Sequence, residues 1–464
     1  MRVSHTARTV SSSFDDPNLV SAAGLVPIMR LAEKAGLSAL AQKWLTVPTD
    51  KGANAGLKVT SLVGGMLAGA DSIDDMALLR HGGMRKLFTA CYAPSTLGSF
   101  LRQFTFGHLR QLDAVASRFL RNLTNEAPLL PGGDAGGYVL LDVDDTIIEV
   151  HGHHKQGSGY GYSGVRGINA ILATVKTGAC APVVIGQRLR RGACGSPRGA
   201  ARLIRDGLAT IRRLNGMSNS PVLFRADSAY YGFASINAAT TAGAAVSVTA
   251  RMDPAVKRAI GTITADAWEA IEYTDAIYDE DTKRWISTAE VAEVAFTAFQ
   301  SRNKSEHITG RLVVRRIPEL NRKHLEQPTL FDTHRFHAFF TTSTLDTVTA
   351  DKTHRGHAII EQVNADLKNS ALAHLPSGVF TANAAWLVLA VIAFNLTRAA
   401  ATIAGTGLGK ATTATIRRKL VSVPARIATS ARRITLHLPE HWPWEAGWVT
   451  LFDQICGPPA RITT

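Results

Sequence analysis

Cysteine is scarce. Cys91, Cys180, Cys194 and Cys456 sit far apart, with no CxxC pair. That spacing argues against a cysteine-ligated zinc site and a disulfide framework, and it fits a reducing cytoplasm. Long apolar runs are missing too. The most apolar stretch, Ala384 to Leu396, is shorter than the ~20 residues a membrane span needs, and reads as a core helix. The early arginines lead into no apolar run, so no secretory signal is expected. The glycine-rich Gly157-Ser158-Gly159-Tyr160-Gly161-Tyr162 lacks the GK[ST] ending of a phosphate loop and reads as turn chemistry. Acid is the minority charge: 51 Lys and Arg face 37 Asp and Glu, for a net charge of +14. An excess this large signals a polyanion partner, with nucleic acid foremost.

What is present changes texture along the 464 residues. Residues 1–130 read as helical, with apolar residues at three-to-four spacing over Leu25–Leu45, Thr60–Leu79 and Leu97–Leu123. Arg102, Arg110, Arg118 and Arg121 decorate the last of these. A helical DNA-binding domain of helix-turn-helix type is expected there, against the plainer reading of a basic solvated face. The breaker-rich Pro131 to Gly137 follows as the clearest boundary. Strands and helices then alternate, which suggests an α/β layer architecture. The expected units are 138–251 as the first part of a core, 252–334 as a β-rich insertion, and 335–400 as the second part. Residues 401–464 form a basic tail anchored by Trp442, Trp444 and Trp448.

Three acidic elements stand out. Tyr138 to Ile148 starts as a buried strand and ends in Asp142, Asp144 and Asp145. Unpaired carboxylates are costly to bury, so such a strand end suits a hard divalent cation. Period-two alternation puts Asp142, Asp144 and Thr146 on one face and Asp145 on the other. A second apolar strand, from Pro221, ends in Asp227. Third, on one continuous helix His354, His357, Glu361, Asn364 and Lys368 fall on a single polar face. Between 188 and 213, eight arginines (including Arg188, Arg190, Arg191, Arg198 and Arg202) face one acid, Asp206, and make a plausible phosphate track. The histidines at 151–154 read as a solvated loop. They also admit a rival reading, a histidine/carboxylate metal-dependent nuclease or hydrolase built with His354, His357 and Glu361.

Asp144, Asp227 and Glu361 make a D, D, E set. Three converging carboxylates suit phosphodiester chemistry on two Mg²⁺ ions ~3.5–4 Å apart. Here the chain resembles the DDE transposases of bacterial insertion sequences, in particular the thirteen-eighty group of the IS-four-like superfamily. The carriers are Leu141-Asp142-Val143-Asp144-Asp145-Thr146, Arg188-Leu189-Arg190-Arg191-Gly192, Arg225-Ala226-Asp227-Ser228-Ala229-Tyr230-Tyr231 and the Glu361 helix. The resemblance implies an α/β ribonuclease-H-like core with an inserted β-rich subdomain. A helical domain precedes it and a helical C-terminal region follows. Asp-x-Thr selects Asp144 as the first acid over Asp142; Asp227 matches the second and Glu361 the third. The third motif, Tyr-x2-Arg-x3-Glu-x6-Lys, keeps Glu361 and Lys368 but has His354 and His357 for Tyr and Arg. A histidine cannot reproduce arginine's permanent bidentate charge. Relatives stack a flipped base on a tryptophan of the insertion, which makes Trp268 and Trp285 the candidates here, with core packing as the alternative. Further implications are Mg²⁺ or Mn²⁺, double-stranded DNA (transposon ends and target), a homodimer in the synaptic complex, and a nucleoid-associated location in a bacterial cytoplasm. A non-enzymatic DNA-binding relic on the same fold is the remaining alternative.

Overall fold

The computed structural model describes residues 9–47, 53–133, 135–152, 154–178, 180–279, 283–318, 334–405, 407–431 and 433–457. The strands in chain order are β1 (Leu19–Val20), β2 (Val139–Glu149), β3 (Gly159–Tyr160), β4 (Arg166–Lys176), β5 (Val183–Arg190), β6 (Val222–Ala226), β7 (Ala245–Thr249), β8 (Glu269–Asp279), β9 (Arg284–Ala298), β10 (Ile308–Pro318), β11 (His334–Thr341), β12 (Ala425–Ser430) and β13 (Arg433–His437).

Ten of them make one mixed sheet in the order β3-β4-β2-β6-β7-β11-β10-β9-β8, with β5 also paired to β4. β2 runs antiparallel to β4 and parallel to β6, which is parallel to β7. The middle strands are apolar almost throughout, as expected where both faces are covered. The segment expected as an insertion is β-rich, but it is no separate sheet. β11 pairs antiparallel with β7 at Phe339–Thr341, so β8 to β11 lengthen the central sheet. At the other edge β3, β4 and β5 converge so closely that a Cβ on Gly192 would meet the Gly167 carbonyl oxygen at 2.1 Å. No residue but glycine fits there.

The N-terminal part is helical, with shorter helices than the periodicity suggested. Gly36, at φ 80°, separates Leu25–Lys34 from Leu37–Trp44. Thr105 ends one run and starts another. Its backbone N–H donates to His108 Nδ1 at 3.1 Å in a capping box, so Phe106–Glu126 begins there. The Ala384–Leu396 stretch lies within a longer helix, Phe380–Ala404. Among the described residues this helix alone is long and apolar enough to cross a membrane, and 94% of its apolar window is buried inside the protein. It is the axle of the fold. Leu112 and Phe119 of Phe106–Glu126, the sheet and the last helix, Glu445–Cys456, belong to one hydrophobic cluster with it. The apolar core therefore crosses the glycine-rich boundary at 131–137 without interruption. Two ends of the chain also meet: β1 pairs with β12, and β12 with β13.

Candidate active site

The three acidic strand-end positions of β2 have three different environments. Asp142 is fully buried and grips Arg225 of β6 through two hydrogen bonds, each 2.7 Å. Arg225 is equally buried and reaches on to the carbonyl oxygens of Thr353 and Gly356. Its charge is met on every side, as a buried ion pair requires. Asp145 points to the other face. It accepts from Tyr230 Oη at 2.8 Å and from Asn169 Nδ2, and pairs with Arg190 at 3.0 Å. That bracket ties β2, β4, β5 and the turn after β6 together.

Asp144 lies between these two and has no ion pair among the described residues. Two donors reach its side chain: Asn364 Nδ2, at 3.0 Å, and the backbone N–H of Asp145. Burial first, then the like charges of Asp227, Asp145 and Glu361, push its pKa up to about 7. Asp227 begins the turn Ser228–Tyr230 at the end of β6 and accepts the Ala229 N–H at 3.0 Å. Its carboxyl is also raised, mainly by burial, while His357 partly offsets the shift. Glu361 is exposed in the first turn of the Ile359–Lys368 helix, and Asn364 one turn on is buried against Asp144. Asp144, Asp227 and Glu361 thus share one electrostatic neighbourhood at the ends of two parallel strands.

The chemistry of this donor set fits a hard cation. The free ligands are carboxylate oxygens, and the anionic form of Asp144 lacks compensation. Two buried polar atoms at the site, Asn364 Oδ1 and His357 Nε2, have no hydrogen-bond partner among the described residues. Among the described residues no three His, Cys, Asp or Glu side chains are placed to hold one ion by themselves. Mg²⁺ rarely needs such a cage, taking one or two carboxylates and completing its shell with phosphate oxygens and water.

The expected continuous polar helix is not continuous. A helix Thr347–Arg355 ends, one tight turn Gly356–Ala358 follows, and a second helix Ile359–Lys368 begins. The break turns His354 away from the acids. Its two ring nitrogens meet Ser247 Oγ at 2.9 Å and Thr249 Oγ1 at 3.0 Å, and its ring stacks on Phe339 at 4.1 Å. Burial holds its pKa well below the usual imidazole value, so it is a neutral packed residue. This withdraws His354 from phosphate contact and from any histidine metal set. His357 stays beside Asp227. Lys368 is exposed at the end of its helix.

The arginine cluster also divides. Arg188 bridges Asp113 at 3.0 Å and Asp206 at 3.1 Å, and Arg190 is held by Asn169, Asp145 and the carbonyls of Ser196 and Arg198. These two hold the fold together, contrary to their expected role on DNA. Arg191, Arg198 and Arg202 are exposed, with Arg202 3.9 Å from Asp206. Trp268 is half-buried under the Arg316 guanidinium, 4.2 Å from its ring, and packs near Phe336. Trp285 lies on β9, and its side chain is outside the described residues, as is His153 of the 151–154 loop.

Sequence reasoning gave Asn364 no role, and it did not see the Asp145–Tyr230–Arg190–Asn169 bracket. One signal was there to read. Arg225 is the single charge of the apolar β6, and the parallel register puts Asp142 of β2 opposite it. A family model described as "Transposase DDE domain group 1" matches residues 3–457. No curated protein matches the chain.

Proposed function

The chain belongs to the DDE transposase family, and on that premise we propose that it cuts and joins DNA at the ends of its own insertion sequence. It binds the terminal inverted repeats, cleaves the strands by metal-dependent hydrolysis, and transfers the freed 3′-ends to target DNA. The strand order β5-β4-β2-β6-β7, with only β4 antiparallel, supports reading the core as ribonuclease-H-like. The quoted motifs support placement in the thirteen-eighty group. A homodimer in the synaptic complex and action on the bacterial nucleoid belong to the same reading.

The observation that carries it is Asp144: a half-buried carboxylate between Asp227 and Glu361, with its pKa raised to about 7 and no ion pair among the described residues. Asp144, Asp227 and Glu361 would hold Mg²⁺ or Mn²⁺. When bound, such ions activate the attacking oxygen and stabilise the leaving one. Asp142 is excluded from that role by its bond to Arg225. Asn364 orients Asp144 through its amide N–H. The Asp145 bracket fixes the separation of the two strand ends, and with it the distance between the acids. Lys368, His357, Arg191, Arg198 and Arg202 are left to contact phosphates.

Asp227→Asn tests the reading. It keeps the side-chain volume and removes the charge that a hard cation needs. Binding to labelled repeat-end DNA is expected to survive, and cleavage in Mg²⁺ to fall by orders of magnitude at equal bound fraction. Undiminished cleavage would remove Asp227 from the mechanism and most of the case with it. The residues also separate this reading from the histidine-based hydrolase. Zinc favours imidazole ligands, and His354 has neither ring nitrogen free.

A further inference from the structure

The helices Phe106–Glu126 and Ala200–Ile211 face each other across a cleft. At one end Arg188 closes it by bridging Asp113 on the first helix and Asp206 on the second. In the middle, Ser117 Oγ lies 3.4 Å from Thr210 Oγ1. Beyond that contact the cleft opens to about 280 Å³, lined by Ser117, Arg118, Arg121, Thr210 and Arg213. Its lining is three guanidiniums and two hydroxyls, with no carboxylate.

Arg118 is pinned in place. Its Nη1 donates to the Ala114 carbonyl at 3.1 Å, and its guanidinium sits 4.5 Å from the Trp44 ring centre. Arg121 and Arg213 are exposed and form no ion pair among the described residues. The acids nearby in the same groove, Asp113 and Asp206, are already bridged by Arg188. Like charges on one lining repel each other, and no carboxylate among the described residues of that lining offsets the repulsion. A tetrahedral oxyanion would. Guanidinium forks match phosphate oxygens two at a time, and both hydroxyls can donate as well. No aromatic residue lines it, and its guanidiniums and hydroxyls are the groups that would meet a phosphate.

We propose that this cleft is a second DNA contact, which holds a backbone phosphate of duplex DNA between the N-terminal helices and the core. The oxyanion site stands on its own geometry, and the DNA source rests on the transposase reading. Arg213 lies one helix length, ~18 Å, from the Arg190 end of Ala200–Ile211. That is about half a turn of duplex, so this contact is separate from the acids and would orient the DNA that reaches them.

The test compares wild type, Arg121→Gln/Arg213→Gln and Arg121→Lys/Arg213→Lys, each checked by circular dichroism. Duplex DNA of unrelated sequence is titrated without divalent metal over a range of salt. The glutamine pair should bind more weakly to every sequence, with a log–log salt slope shallower by about 0.9 for each phosphate lost, so by about 1 to 2. The lysine pair should keep most of the slope. Inorganic phosphate should raise the melting temperature of wild type and not that of the glutamine pair. Equal slopes for wild type and the glutamine pair overturn the proposal, even where inorganic phosphate still stabilises wild type, since the ligand is then free phosphate. The slopes need no cleavage, so a protein that binds DNA but never cuts repeat ends would fail the transposase reading and leave this one standing.

Discussion

At the scale of single residues, Asp144 makes the sharpest prediction. Its carboxyl has an ordinary value of 3.8 and is raised in the fold to about 7. Between those two pH values the folded state holds a proton that the unfolded chain has released. Its contribution to stability is therefore full below about 3.8, declines as pH rises, and is gone above about 7. The charged groups that act on it are Asp227 and Glu361 from neighbouring elements and Asp145 from its own strand, with Asn364 as donor. Asp144→Asn removes the repulsion. The variant is expected to melt higher than wild type at pH 8, with the gap closing towards pH 4.5. Mg²⁺ should raise the melting temperature of wild type at pH 8 and leave the variant where it is. A constant gap across pH, measured by calorimetry, would show that Asp144 is ionised in the fold throughout.

At the scale of elements, the edge of the sheet is managed by one side chain. β5 is an edge strand, and an open edge is a template for wrong pairing. Asn395, in the buried helix Phe380–Ala404, closes it. Its Oδ1 accepts the Val184 N–H at 2.9 Å and its Nδ2 donates to the Val184 carbonyl at 2.7 Å, as a neighbouring strand would. Asn395→Ala leaves both backbone groups buried and unpaired. A loss of about 1–3 kcal/mol for each is expected in urea unfolding, against near-neutrality for exposed Asn125→Ala. Elements were also where the sequence was most legible. β2 and β6 lie where their apolar runs put them, because runs of that length have few other places to go. The helix through His354 was misread because periodicity does not see Arg225. That buried guanidinium draws the Thr353 and Gly356 carbonyls towards itself, and the helix gives way to a tight turn there. The same blindness applies to the arginines: composition counts Arg188 and Arg190 as free charge, and only the fold shows the acids and carbonyls that hold them. Asp227 and Glu361 were visible because a carboxylate at the end of an apolar strand, or on a polar helix face, has no local reason to be there.

At the scale of the whole molecule, the first and last described helices share one core. Leu25, Ile28 and Leu31 belong to the same cluster as Trp448 and Leu451, with Phe380–Ala404 between them. Removal of residues 407–457 strips β1 of its partner and uncovers the apolar faces of both helices. Such a fragment is expected to be insoluble when produced alone, as judged by its partition after lysis, whereas a loss of cleavage in soluble, folded protein would contradict this account. The pairing of β1 with β12 also bears on when the protein becomes competent. Chains emerge from the ribosome at ~5–20 residues per second. The N-terminal helices then wait on the order of 16 to 66 s for the helix that covers them. Until then the newborn chain has exposed apolar faces that invite chaperones, and the strand ends bearing Asp144 and Asp227 are not yet braced. Competence to act on DNA would thus begin only once the residues of that last helix have been made.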